Sequence, residues 1–133
     1  MRTSATLAIT LLAGFALPAA ASCPLAAEKA GERQITQGTL QVSWRAEPEA
    51  LAVGRPFALT LQLCPPAARL LRVDATMPEH HHGMNYRPSV RPLGDGRWRA
   101  EGLLWHMAGR WELAIEVESG GERTWLRQSV HLP

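Results

Sequence analysis

The sequence predicts an all-β protein, a sandwich of about seven short strands. Two observations carry this. Apolar and polar residues alternate with period two in segment after segment, and no stretch shows a strong helical period. Turn residues also punctuate the chain roughly every ten positions, which is the spacing of short strands joined by hairpins. At 133 residues the chain is long enough for one domain. It contains neither internal repeats nor low-complexity segments.

Thr39 to Ala46 places Leu40, Val42 and Trp44 on one face and Gln41, Ser43 and Arg45 on the other, the pattern of a half-buried strand. Glu47-Pro48-Glu49 ends it, and Gly54-Arg55-Pro56 turns the chain. Phe57 to Cys64 alternates again, with Phe57, Leu59, Leu61 and Leu63 on one face, and Pro65-Pro66 stops it. Leu70 to Met77 is the next strand, with Leu71, Val73, Ala75 and Met77 sharing a face. Pro78 to Arg87 reads as a loop, and Pro88 to Pro92 as a short edge strand through Val90. Gly94-Asp95-Gly96 is a hairpin signal. In Arg97 to Met107 the apolar parity changes at Gly102, from Trp98 and Ala100 to Leu103, Trp105 and Met107, which predicts a β-bulge. Trp111, Leu113, Ile115 and Val117 form the cleanest alternation. After Ser119-Gly120-Gly121-Glu122 a last strand, Thr124 to Leu132, closes the domain with either face a candidate for the core.

The first residues lie outside this plan. Arg2 is the only charge before Glu28, Leu7 to Leu17 is an apolar run, and Ala19-Ala20-Ala21 follows Pro18. That is the order of a secretory signal peptide, residues 1–21, and the run is too short to span a bilayer. Residues 22–38 read as an N-terminal tail and 39–133 as the domain, placing the mature protein in the periplasm or outside the cell. In such a compartment the two cysteines, Cys23 and Cys64, predict a disulfide from the tail to the end of a strand. Cys23 is also where a lipoprotein would carry its lipid, but Ala20 stands where leucine is usual. Formal net charge is only +2 and Lys29 is the single lysine, so nothing points to nucleic acid.

Chemistry concentrates between Met77 and Trp111. Four of the five histidines lie there, with every methionine except Met1. Imidazole with thioether is a donor set that copper favours. His80, His81, His82 and Met84 are adjacent in a loop, and His106 ends a later strand, so the fold decides whether they meet. His106 and Met107, as neighbours on a strand, are expected to face opposite ways and not to share a metal. Met77 and Met107 alternate with apolar residues and read as core, as do Trp98, Trp105 and Trp111. No enzyme is expected: the chain has no G-x-S-x-G and no H-E-x-x-H.

Met77-Pro78, His82-Gly83-Met84, Val90, Gly94-Asp95-Gly96-Arg97-Trp98 and Met107-Ala108-Gly109-Arg110-Trp111-Glu112-Leu113, in that order, resemble the YtkA-like domain family and the related FixH family. The resemblance covers about Ala50 to Val117. It implies an exported protein with an immunoglobulin-like sandwich. FixH proteins accompany copper-transport machinery in the assembly of respiratory oxidases, so the resemblance also implies partners of that kind; those proteins carry a membrane anchor, where this chain carries a leader. The resulting expectation is a copper-binding or copper-delivery accessory protein using His80, His82, Met84 and His106. The competing expectation is a metal-free interaction module of the cell envelope, with the histidine-rich loop as its contact surface.

Overall fold

The computed structural model describes Cys23, Leu25 and residues 30–133; the expected signal peptide lies outside the described residues. Period-two alternation becomes two antiparallel sheets packed face to face. The strands are β1 (Arg33–Gln37), β2 (Leu40–Glu47), β3 (Pro56–Cys64), β4 (Arg69–Met77), β5 (His82–Gly83), β6 (Ser89–Gly94), β7 (Arg97–Leu104), β8 (Gly109–Ser119) and β9 (Glu122–Leu132). One sheet has the order β1-β2-β3-β7-β6 and the other β5-β4-β8-β9. Between them lie Val42, Trp44, Leu59, Leu61 and Leu63 from the first sheet and Val73, Ala75, Trp111, Leu113, Ile115 and Leu126 from the second. Each large aliphatic side chain buried in this way contributes about 1.5–3 kcal/mol. No helix among the described residues is long and apolar enough to cross a membrane.

Among the described residues the strands number nine rather than seven, and the two additions are those without a readable period. β1 has a single apolar residue, Ile35, opposite Val42, and is held through its backbone ladder to β2 and by Arg33 lying 5.3 Å from the centre of the Trp44 ring. It begins inside the stretch expected to be tail. β5 has two residues, too few to show alternation at all.

The bulge expected at Gly102 is present. Phe57 faces Leu103 and Leu59 faces Ala100, so Glu101 and Gly102 stand opposite Ala58 alone. Gly102 takes φ +86°, a left-handed conformation that suits glycine. The extra residue lets Ala100, Leu103 and Trp105 all reach the core. A second bulge, at Leu71 of β4, corrects the expected facing: Leu70 rather than Leu71 is buried, because Leu70 pairs with Val117 and Arg72 with Glu116. In β9 the inward face is Leu126, Val130 and Leu132. Gln128 shares that face, and its Oε1 accepts a 2.8 Å hydrogen bond from Trp44 Nε1.

β7 ends at Leu104, three residues before the expected Met107. Leu104 faces Pro56, which has no N–H to continue the ladder. Residues 105–108 therefore leave the sheet as a connection, tethered by Gly54 N–H to the Trp105 carbonyl at 2.8 Å. His106 sits in this connection and not on a strand, so strand alternation does not govern its direction.

Across the outer face of the larger sheet runs a row of charges. Glu47 accepts from Thr60 Oγ1 at 2.7 Å and from Arg99 Nη1 at 2.6 Å, and Arg99 Nε donates to Glu101 at 2.6 Å. The Arg99 guanidinium, followed by the Thr60 hydroxyl, holds the Glu47 carboxyl below its ordinary value of 4.5, and Arg99 does the same to Glu101. A carboxyl depressed in the folded state contributes stability that is present above its unfolded value and lost as pH falls through the folded one. Stability is therefore expected to decline as pH drops below about 4.5, with a shallower decline in Arg99→Met. Urea midpoints measured from pH 6 to pH 3 check this, and parallel acid limbs in the two proteins would refute it.

Candidate functional site

Sequence places His82 and His106 far apart; the sandwich brings their rings to 5.0 Å between centroids, tilted by 32°. Each arrives by a separate route. Thr76 pairs with Gly83 and Met77 with His82, so β5 lies along the last rung of β4. Directly opposed residues in an antiparallel pair share a face. Met77 faces the core, so His82 also stands on the inner face, half-buried at the sheet edge. His106 comes from the β7–β8 connection, which closes over the same end of the sandwich.

The three consecutive histidines are not equivalent. Pro78–His80 makes one 3-10 turn, and His81 follows it in a left-handed conformation, φ 55°, ψ 34°. A left-handed residue reverses the local direction of an otherwise extended chain. His80 and His82 are thereby brought to 5.8 Å between ring centroids, while His81 is exposed with no ring contact of its own. Glu79 on the same turn accepts from Arg110 Nε at 3.0 Å, which pins the turn to the start of β8 and pairs its carboxylate.

Beneath the imidazoles lies an aromatic floor. Trp111 is fully buried, and its indole meets the His106 ring at 5.6 Å and the His82 ring at 6.0 Å, both edge-to-face. Trp111 Nε1 donates to the Met107 carbonyl at 2.9 Å, which sets the orientation of the ring. Trp105 stacks on Trp111 at 5.3 Å, with planes 5° apart, and takes the edge of Phe57 at 5.1 Å. The Trp105 ring is held by packing, since its Nε1 is buried without a hydrogen-bond partner.

The methionines fall in three places. Met77 is buried opposite His82. A Cβ on Gly109 would come within 3.1 Å of the Met77 methyl, so glycine at the start of β8 is what lets that methyl in. Met84 is half-buried against the core, with its N–H on the Ala75 carbonyl at 3.2 Å. Met107 is half-buried beside His106. The core role expected for Met77, Trp105 and Trp111 holds, and Trp98 packs partly buried against the core.

Two imidazoles bound to one metal at about 2 Å place their ring centres roughly 5–6 Å apart, and the His82–His106 separation falls in that range. His82 Nδ1 lies 3.3 Å from the Gly83 carbonyl oxygen, which only accepts, so a hydrogen bond there takes Nδ1 as its donor and turns Nε2 away from it. Among the described residues no three His, Cys, Asp or Glu side chains converge as a metal-holding group. Three methionines lie at the same end of the sandwich: Met77 pairs with His82, Met84 follows it by two residues and Met107 adjoins His106.

Two shallow hollows, of about 390 and 420 Å³, lie elsewhere, the first lined by Arg72, Arg87 and Arg123 among others and the second by Cys23, Arg45 and Arg97 among others. Neither includes a histidine. The disulfide joins Cys23 to Cys64, as expected, with Cα atoms 5.5 Å apart. It closes at the far end of β3 from Pro56, and hence away from the histidines. Comparison with protein-family models, with curated proteins and with solved structures finds no match to this chain.

Proposed function

We propose that this is an exported copper-binding or copper-delivery accessory protein whose site is the cluster of His82 and His106, with His80 at its rim. The observation that carries the reading is the 5.0 Å approach of two imidazoles from separate elements, one with its Nδ1 beside a backbone carbonyl. A sulfur donor completes the set; the motif reading assigns it to Met84. Bound there, copper would serve as cargo, held by soft and neutral ligands at the protein surface. The resemblance to the YtkA-like and FixH families supports the same reading and points to copper-transport or oxidase-assembly proteins as partners. The disulfide is compatible with an exported protein.

Purified mature protein is expected to take up about one equivalent of copper. The double variant His82→Ala, His106→Ala is expected to take up none while its circular dichroism stays that of a β-sandwich. Uptake unchanged in the double variant would sink the assignment.

A second reading, a metal-free interaction module of the envelope, is favoured by one observation. Among the described residues, the two large apolar side chains that stand exposed are Val53 and Tyr86, at 45% and 55%. Both lie in connections adjoining the histidine-bearing ones: Gly54 is bonded to Trp105, and Tyr86 follows Met84 by two residues. This reading predicts no copper uptake by the wild type and capture of an envelope protein that Tyr86→Ser loses.

A further inference from the structure

The geometry points to Met77, the methionine that strand alternation assigns to the core, as the sulfur donor of the histidine site, and to copper(I) as the ion the site takes. The inference rests on the copper reading above and concerns which donors make it.

Three placements single out Met77. It is the direct cross-strand partner of His82, so the two side chains rise from neighbouring positions on one face. Its methyl lies 3.1 Å from where a Cβ on Gly109 would stand, which puts the thioether against the chain that leads from His106 to Trp111. One rung beyond the Thr76–Glu112 pair, Met77 comes level with Trp111, whose ring touches both imidazoles. Met84 is two residues past His82 along β5, where its N–H meets Ala75. Two residues of strand are roughly 7 Å, and β5 runs from His82 back toward the middle of the sandwich, away from His106. Met84 therefore shares the face of His82 but recedes from the second imidazole.

The ion follows from the donors. Imidazole nitrogen and thioether sulfur both bind a metal as neutral donors, so His82, His106 and Met77 bring it no compensating charge. The nearest carboxylate on the loop, Glu79, is engaged by Arg110, and Glu112 pairs with Thr76 on the outer face of the sheet. A divalent ion would sit at this apolar edge with both charges uncompensated, while copper(I) brings one and prefers thioether. The indole of Trp111, about 6 Å from each imidazole, adds an aromatic wall beside the pair.

Mature protein loaded anaerobically with copper(I) is expected to show a copper–sulfur shell in X-ray absorption beside its imidazole shell. Met77→Leu, which conserves volume in the core, is expected to lose that shell. It is also expected to weaken copper(I) on the order of tenfold in competition with bathocuproine, with little change in copper(II) affinity. Met84→Leu and Met107→Leu are expected to keep the shell. Should Met77→Leu not fold, the ε-methyl resonance of Met77 in labelled wild-type protein serves instead, since it is expected to move most among the methionines on addition of silver(I). A sulfur shell that persists in Met77→Leu, or vanishes in Met84→Leu, overturns the inference. Copper held by imidazole alone in the wild type overturns it too and leaves the copper reading standing. A wild type that takes up no copper(I) or copper(II) overturns both.

Discussion

Replacing Trp111 by alanine is expected to cost about 3–5 kcal/mol, the largest single effect in the molecule. The indole is fully buried, stacks on Trp105, and donates a 2.9 Å hydrogen bond to the Met107 carbonyl. Alanine removes the stack, opens a cavity between the sheets and leaves that carbonyl to find water. Because a domain of this size has a total stability of only about 5–15 kcal/mol, the variant is expected to be marginal at 37 °C. Trp111→Phe keeps an aromatic face and loses the hydrogen bond, so its cost is expected to be smaller by about half. Urea unfolding of the three proteins, followed by far-ultraviolet circular dichroism, measures the series. A cost below about 1.5 kcal/mol for Trp111→Ala would show that the ring does not carry the core. The same ring is the floor under His82 and His106, so Trp111→Phe also reports on the site: copper uptake should survive it if the imidazoles still meet.

Opening the Cys23–Cys64 bridge is expected to cost roughly 3–4 kcal/mol in the chain-entropy account. The bond closes a loop with a sequence separation of 41, and the unfolded chain regains that freedom when the bond is removed. The measurement is the difference in unfolding free energy between oxidised wild type and Cys23→Ser, Cys64→Ser. Two thiols titrating in the protein purified under non-reducing conditions would refute the bridge itself. Since Cys64 ends β3 and the histidines gather beyond its first residue, the double serine variant is expected to take up copper as the wild type does. Under the proposed copper reading, stability and metal uptake are thus expected to separate, the first answering to the disulfide and the second to His82 with His106.

Much of the architecture was legible because a pleated strand exposes its period directly. Phe57, Leu59, Leu61 and Leu63 alternate in sequence and are all buried, as are Trp111, Leu113, Ile115 and Val117. Even the break in the pattern at Gly102 was informative, since a parity change at a glycine has few other causes. What escaped had a local reason. β1 offers one apolar residue, and β5 is two residues long. Leu71 hid a bulge because Leu70 and Leu71 are both leucine, so either facing satisfied the pattern. The alternation of β7 runs three residues past its end because Trp105 and Met107 continue it, whereas Pro56 on the neighbouring strand ends the ladder, and pairing partners are not written in the strand itself.

The histidine site divides along the same line. Sequence alone determined the inventory: three consecutive histidines, His106 and three methionines within one stretch, in a chain with two cysteines and period-two patterning. Those properties are local, carried by residue type and by spacing along the backbone. Only the tertiary structure decided which of them meet. His82 and His106 come together because β5 pairs with the end of β4 while the β7–β8 connection folds over the same end. His81 is set apart by a left-handed backbone angle that histidine does not announce. Met77 looks like an ordinary core residue in its strand, and becomes a neighbour of the imidazoles only because its cross-strand partner is His82. Contacts between segments distant in the chain depend on strand pairing and loop closure, and these are properties of the whole sandwich rather than of any one stretch.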